Sequence, residues 1–148
     1  MQNKAQGKVV RPIADGYISS RFGNRERRNK AGVLIKEFHP GIDISSKSVR
    51  PLVVTPFAGT VAVKGWSASF GWRVWIKLQT GMYMVLAHLQ SIDNTVHIGQ
   101  QLNPGDFIGI MGNTGLSDAP HLHLEIRPNP YKPGNAIEPT EVIKTFNT

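Results

Sequence analysis

Pro120-His121-Leu122-His123-Leu124-Glu125-Ile126 is apolar and branched, carries no glycine, and is bounded by Ala119-Pro120 and Arg127-Pro128. It predicts a β-strand. Successive side chains on a strand point to opposite faces, so His121, His123 and Glu125 share one face and Leu122, Leu124 and Ile126 the other. The aliphatic face belongs on a core. Two imidazoles side by side on a rigid strand pack a core poorly and suit the holding of a metal and a proton-transfer group. The stretch alone also admits a plainer reading, two half-exposed histidines on an amphipathic strand.

Outward from this strand the chain is strand and turn. Gly112-Asn113-Thr114-Gly115 is a tight loop that opens no helix and has no lysine, which argues for a turn and against a phosphate cradle. Residues 101–102 and 107–111 read as strands about a Pro104-Gly105 turn. Val74, Ile76 and Leu78 alternate cleanly, and Thr80-Gly81 turns that strand back into residues 82–89, a hairpin carrying His88 near its end. Residues 51–55 and 59–64 are two more strands about Pro56-Phe57-Ala58, and residues 66–71 a small-residue loop. In His39-Pro40-Gly41-Ile42-Asp43-Ile44, Pro40 and Gly41 argue against a helix, so a loop enters a strand at residues 42–44. Residues 18–23 suggest a short strand ending in a turn. The highly charged residues 24–36 read as an exposed loop and, because they lead straight into His39, as one wall of a binding groove. The tail holds one short helix around residues 140–146. The expectation is a mostly β, single compact domain of antiparallel sheet over residues 11–148, after a flexible basic leader over residues 1–10.

The 148 residues suffice for one domain with a real core and not for two. Glycine (15) and proline (10) are plentiful and spread out, as a turn-rich β fold requires. No apolar run is long enough to span a membrane. Nothing apolar follows Met1-Gln2-Asn3-Lys4, so no secretion signal is expected, which fits a phage-encoded protein or an excised domain of a secreted one. The chain has no cysteine, which excludes disulfides, thiolate metal sites and cysteine nucleophiles; a metal must sit on His, Asp or Glu. A net charge of +7 favours a polyanionic partner: nucleic acid, anionic lipid or anionic cell-wall polymer. Nucleic acid is not expected, because no aromatics are interleaved on a basic strand face.

Five histidines are available: His39, His88, His97, His121 and His123. A catalytic zinc takes three protein ligands from His and Asp or Glu and keeps one position open. A proton must also be moved and an oxyanion stabilised, and histidine does both near neutral pH. His39-x-x-x-Asp43, His88 within Leu86-Ala87-His88-Leu89, and His121-x-His123 resemble the signature motifs of the lysostaphin-type (LytM-domain) zinc endopeptidases. Arg21-Phe22-Gly23, Pro56-Phe57-Ala58-Gly59-Thr60-Val61, Gly105-Asp106-x-Ile108-Gly109 and Gly112-Asn113-Thr114-Gly115-x-Ser117 are similar to that family in the same order. Leu86 stands where the family more often has tyrosine.

The resemblance implies a groove with a zinc site at its floor and loops as its walls. It implies one Zn2+ per chain held by His39, Asp43 and His123. His121 would sit beside the metal and His88 across the groove, as general base and as hydrogen-bond donor to the tetrahedral intermediate; which of the two takes the proton stays open. The expected walls are residues 24–38, 66–71 and 93–97. Glu125 either orients a ligand or is a plain surface or core-edge carboxylate. His97 falls at no motif position and is expected on the surface. The implied function is hydrolysis of peptide bonds in the crosslinks or stem peptides of bacterial peptidoglycan, at the cell wall and without membrane insertion. Arg21-Phe22-Gly23-x-Arg25 looks closer to members that cut direct D-alanyl–diaminopimelate crosslinks than to glycine-bridge cutters. A monomer is expected. The alternative is a noncatalytic wall-binding or phage structural module retaining the fold.

Overall fold

The computed structural model describes residues 8–144. In chain order the strands are β1 (Tyr17–Ser20), β2 (Gly23–Arg28), β3 (Leu34–His39), β4 (Ile42–Ser45), β5 (Leu52–Val54), β6 (Gly59–Ser67), β7 (Gly71–Lys77), β8 (Tyr83–Ile92), β9 (Gln101–Leu102), β10 (Phe107–Met111) and β11 (Leu122–Arg127). Every pairing among them is antiparallel, in the order β1-β4-β11-β8-β7-β6-β9, with β10 joined to β5 and to the far end of β8. The sheet is open, and the mostly β expectation holds.

β11 lies between β4 and β8, in the register Leu122↔Ile44, His123↔Asp43 and Leu124↔Ile42 on one side and His123↔Ala87 and Leu124↔Leu86 on the other. Directly opposed residues share a face. Leu122, Leu124, Ile126, Ile42, Ile44, Met84 and Leu86 are therefore all turned to one side, and each is fully buried. Val53 of β5, Ile108 of β10, Ile13 from the N-terminal side and Ile143 from the C-terminal side close that core. Burying each such side chain contributes about 1.5–3 kcal/mol, so the aliphatic face holds the sheet and leaves its other face to Asp43, His123 and Glu125.

Four segments depart from expectation. Residues 24–36 are not a loop: β2 and β3 form a hairpin, with Arg25↔Glu37 and Glu26↔Lys36 opposed. Cross-strand charge pairs replace the apolar alternation that would have marked these strands. Of the loop at residues 66–71, Trp66 and Ser67 end β6 and Gly71 begins β7. The helix at residues 140–146 is a 3-10 turn at Pro139–Glu141, and Thr145 and Phe146 lie outside the described residues. Of the leader at residues 1–10, residues 1–7 lie outside the described residues, Val9 packs against the core, and Val10 donates its N–H to the Pro56 carbonyl (3.1 Å). Among the described residues no helix is long and apolar enough to cross a membrane.

Candidate metal centre

His39 ends β3, and Pro40-Gly41 carries the chain directly into β4, where Asp43 stands opposite His123. The approach is close at Gly41: a Cβ there would lie 2.4 Å from the Leu124 carbonyl and 3.0 Å from His123 Cε1, so a side chain would push on the histidine. His39 Nε2, Asp43 Oδ1 and His123 Nδ1 converge, with separations of 3.1 Å (His39 to Asp43), 3.3 Å (His39 to His123) and 3.0 Å (His123 to Asp43). His39 and His123 are buried and Asp43 is 9% exposed.

Each histidine of this trio is oriented through its other nitrogen. His39 Nδ1 donates to the Arg21 carbonyl (2.9 Å), and His123 Nε2 donates to Glu125 Oε1 (2.8 Å). These bonds leave a lone pair on each converging nitrogen, facing a carboxylate oxygen. Three acceptors at such distances repel one another unless a cation lies among them. Ligands on one face of a tetrahedron with bonds of about 2.0–2.1 Å stand about 3.3 Å apart, so the donor set fits a zinc-like ion in size, chemistry and orientation. Burial alone would raise the Asp43 carboxyl, but protonation of the converging nitrogens turns His123 and His39 into donors to it, and these hydrogen bonds together with the nearby His121 hold it well below the usual carboxylate range. Burial likewise opposes charge on His123, yet its hydrogen bonds to Asp43 and Glu125 raise its proton affinity. Both shifts mark a pocket that attracts positive charge.

Glu125 is a buried carboxylate, 1% exposed, and so neither of the plainer expectations for it stands. Its second oxygen accepts from Arg127 Nε (2.6 Å), and the Arg127 guanidinium lies over the Tyr131 ring (4.0 Å) and the Trp75 ring (5.0 Å). Burial would raise its pKa, and the bonds to His123 and Arg127 lower it, so Glu125 stays ionised.

His121 precedes β11 and is held by a bridge to Gly112. Its Nδ1 donates to the Ala119 carbonyl (2.7 Å), and its Nε2 lies 3.5 Å from Asp43 Oδ1. His88 reaches the same space from β8; its ring centroid is 4.9 Å from that of His121. His88 Nδ1 donates to the Thr114 carbonyl (2.6 Å), which leaves Nε2 free as an acceptor. Burial, opposed by the bond to Thr114, pushes the His88 pKa down to about 4, so the ring is neutral at neutral pH. Among the described residues His88 is the non-glycine residue with a positive φ, 63°. All four motif histidines thus line one cavity together with Asp43, whereas His97 is exposed on a distant turn.

The cavity is walled by Arg25, Arg27, Glu37 and Phe38 of the β2–β3 hairpin and by Phe70 from the loop before β7. Residues 93–97, expected as a third wall, do not line it; residues 116–120 do. The sequence reads this stretch as the end of a family-like motif leading into the His121 strand and not as a wall; that role follows from the backbone of Ala119 and its position before His121.

A profile of Peptidase family M23 matches residues 37–139. The chain is 33% identical over 125 residues to an uncharacterized metalloprotease of Haemophilus influenzae, covering 84% of this chain and 25% of that protein. It is 33% identical over 95 residues to the L-Ala–D-Glu endopeptidase of Bacillus subtilis, covering 60% of this chain and 29% of that protein. Among solved structures it resembles the catalytic domain of the antimicrobial peptidase lysostaphin from Staphylococcus simulans, with a TM-score of 0.71 and 26% identity over 86% of this chain and 91% of that one. The chain spans between a quarter and a third of the length of the curated relatives it matches.

Proposed function

The chain belongs to peptidase family M23, and from that premise we propose that it is a zinc-dependent endopeptidase that hydrolyses peptide bonds in bacterial peptidoglycan, acting at the cell wall through a catalytic domain spanning residues 11–148. The observation that carries this reading is the convergence of His39 Nε2, Asp43 Oδ1 and His123 Nδ1, each pair within 3.3 Å, with both histidines oriented by an acceptor behind them. In this reading these residues hold one zinc per chain. When bound, such an ion supplies Lewis-acid chemistry, polarising the scissile carbonyl and activating water.

The remaining chemistry belongs to His88 and His121. Each commits Nδ1–H to a backbone carbonyl, so the working atom of each is Nε2. A neutral imidazole takes a proton there as general base, and the imidazolium then donates to the developing oxyanion or returns the proton to the leaving amine. The two rings, 4.9 Å apart, flank the space in front of the donor trio, so one peptide carbonyl is within reach of both. Phe70, stacked 6.0 Å from the His123 ring, excludes water from that side.

The test is metal analysis of the purified chain together with mass spectrometry of fragments released from defined peptidoglycans. One zinc per chain and new amino termini within stem peptides or crosslinks are expected. A zinc-loaded protein that binds walls and releases no fragment would overturn the proposal.

A further inference from the structure

The Arg27 guanidinium is held by Glu37 through Nε (2.8 Å), and its Nη1 edge reaches across to Asp118 Oδ2 (3.0 Å), a residue 91 positions away in the chain. This pair joins the β2–β3 hairpin to residues 116–120, the opposite wall of the groove. It also divides a continuous cleft. Arg27, Leu116, Ser117 and Asp118 line both the histidine cavity and a second cavity beyond the pair, whose further walls are Asn29, Lys30 and Ile35 of the hairpin and Gly115 of the loop. A peptide running from the histidine site into this second cavity would meet the pair.

The two partners differ in how they are held. Arg27 is fixed by Glu37, whose carboxyl is itself lowered from its ordinary value, mainly by the bond from Arg27 and despite burial. Asp118 sits on an exposed loop with 44% of its side chain accessible, and its carboxylate accepts from Arg27 Nη1. Exposed ion pairs of this kind contribute little and exchange readily. A preoriented guanidinium edge covered by a loosely held carboxylate is a site for a different carboxylate, and Lys30 on the same side adds a second positive charge.

Resting on the reading of the chain as a peptidoglycan endopeptidase, we propose that the cleft between Arg27 and Lys30 is a specificity subsite for a free carboxylate on the substrate peptide, with Asp118 occupying Arg27 until that carboxylate displaces it. The same groove then prefers stem peptides whose side-chain or α-carboxyl is free over those in which it is amidated.

Steady-state kinetics of the zinc-loaded full chain on a soluble crosslinked stem peptide and on its carboxamide counterpart test this. Wild type should show a lower KM for the free acid. R27Q should raise that KM by about 10-fold, the scale of one charge-assisted hydrogen bond, raise KM for the carboxamide far less, and keep zinc content. R27K should recover part of the preference, and D118N should lower KM for the free acid by freeing Arg27. Equal KM for both substrates in wild type, or an equal effect of R27Q on both, would overturn the subsite while leaving the endopeptidase reading intact. Hydrolysis of neither substrate would overturn the endopeptidase reading itself and the subsite with it.

Discussion

His88 and Leu86 are two residues apart on one strand and face opposite sides of the sheet. Leu86 is fully buried in the core, and His88 lines the histidine cavity. The register between β7 and β8 shifts between Val74↔Leu86 and Trp72↔Leu89, so Ala87 and His88 together stand opposite Arg73. This is a β-bulge, and the φ of 63° at His88 is its mark. Without it, period two would send the His88 ring into the core.

The strain at this position separates two substitutions. H88G removes the ring and relieves the left-handed backbone, whereas H88A removes the ring and keeps the strain. H88G should be the more stable by about 1 kcal/mol in urea denaturation. Both should retain zinc and lose about 100- to 10,000-fold in peptidoglycan turnover. A stability order of H88A above H88G would contradict the bulge geometry.

The donor trio predicts a division among histidines that are neighbours in sequence. H123A, H39A and D43A should lose the metal and all hydrolysis, and H121A should keep near-stoichiometric zinc while turnover collapses. E125Q leaves His123 Nε2 with a neutral acceptor in place of an anion and should weaken zinc binding about 10- to 100-fold in a chelator competition. Loss of zinc from H121A with retention in H123A would reverse the assignment.

Acidification should destabilise the metal-stripped domain in a defined window. The His88 pKa is lowered from 6.5 to about 4 in the fold, chiefly by burial. Between those values the unfolded chain binds the proton and the folded one does not, so the contribution of His88 is complete above pH 6.5 and is lost as pH falls towards 4. The loss is on the order of 3 kcal/mol. Glu37, also lowered, adds a loss at still lower pH, below its ordinary carboxylate range. Denaturation midpoints at pH 7, 5.5 and 4 should converge in H88A relative to wild type; an equal slope in both would exclude His88 as the source.

Thr114 ties the groove to the sheet. Its carbonyl accepts from His88 Nδ1, its hydroxyl donates to the Leu89 carbonyl (2.6 Å), and that same hydroxyl accepts from the Trp72 N–H (3.2 Å). Gly71 has a φ of 66°, and a Cβ there would lie 2.5 Å from the Thr114 carbonyl carbon. G71A should therefore displace the carbonyl that fixes His88, costing about 1–3 kcal/mol of stability and most of the turnover without loss of zinc. Unchanged kcat in G71A would show that Thr114 does not position the ring.

Period-two alternation made β11 legible from residues 120–126: Leu122, Leu124 and Ile126 went to the core and His123 and Glu125 to the other face, because strand geometry depends on local backbone alone. The absence of cysteine confined any metal to nitrogen and oxygen ligands, the resemblance to the LytM-type motifs implied His39, Asp43 and His123, and these are residues the fold brings together. The β2–β3 hairpin was hidden because β2 is polar on both faces and β3 mixes Leu34, Ile35 and Phe38 with Lys36 and Glu37 without alternation; its signal lies in the pairing of Arg25 with Glu37 and Glu26 with Lys36, visible only once the register is known. The face presented by His88, the burial of Glu125 under Arg127, and the wall formed by residues 116–120 were decided by tertiary structure. Each depends on which strand or loop lies alongside: a bulge is a mismatch between two strands, burial is the presence of neighbours, and a groove is the space between segments distant in the chain.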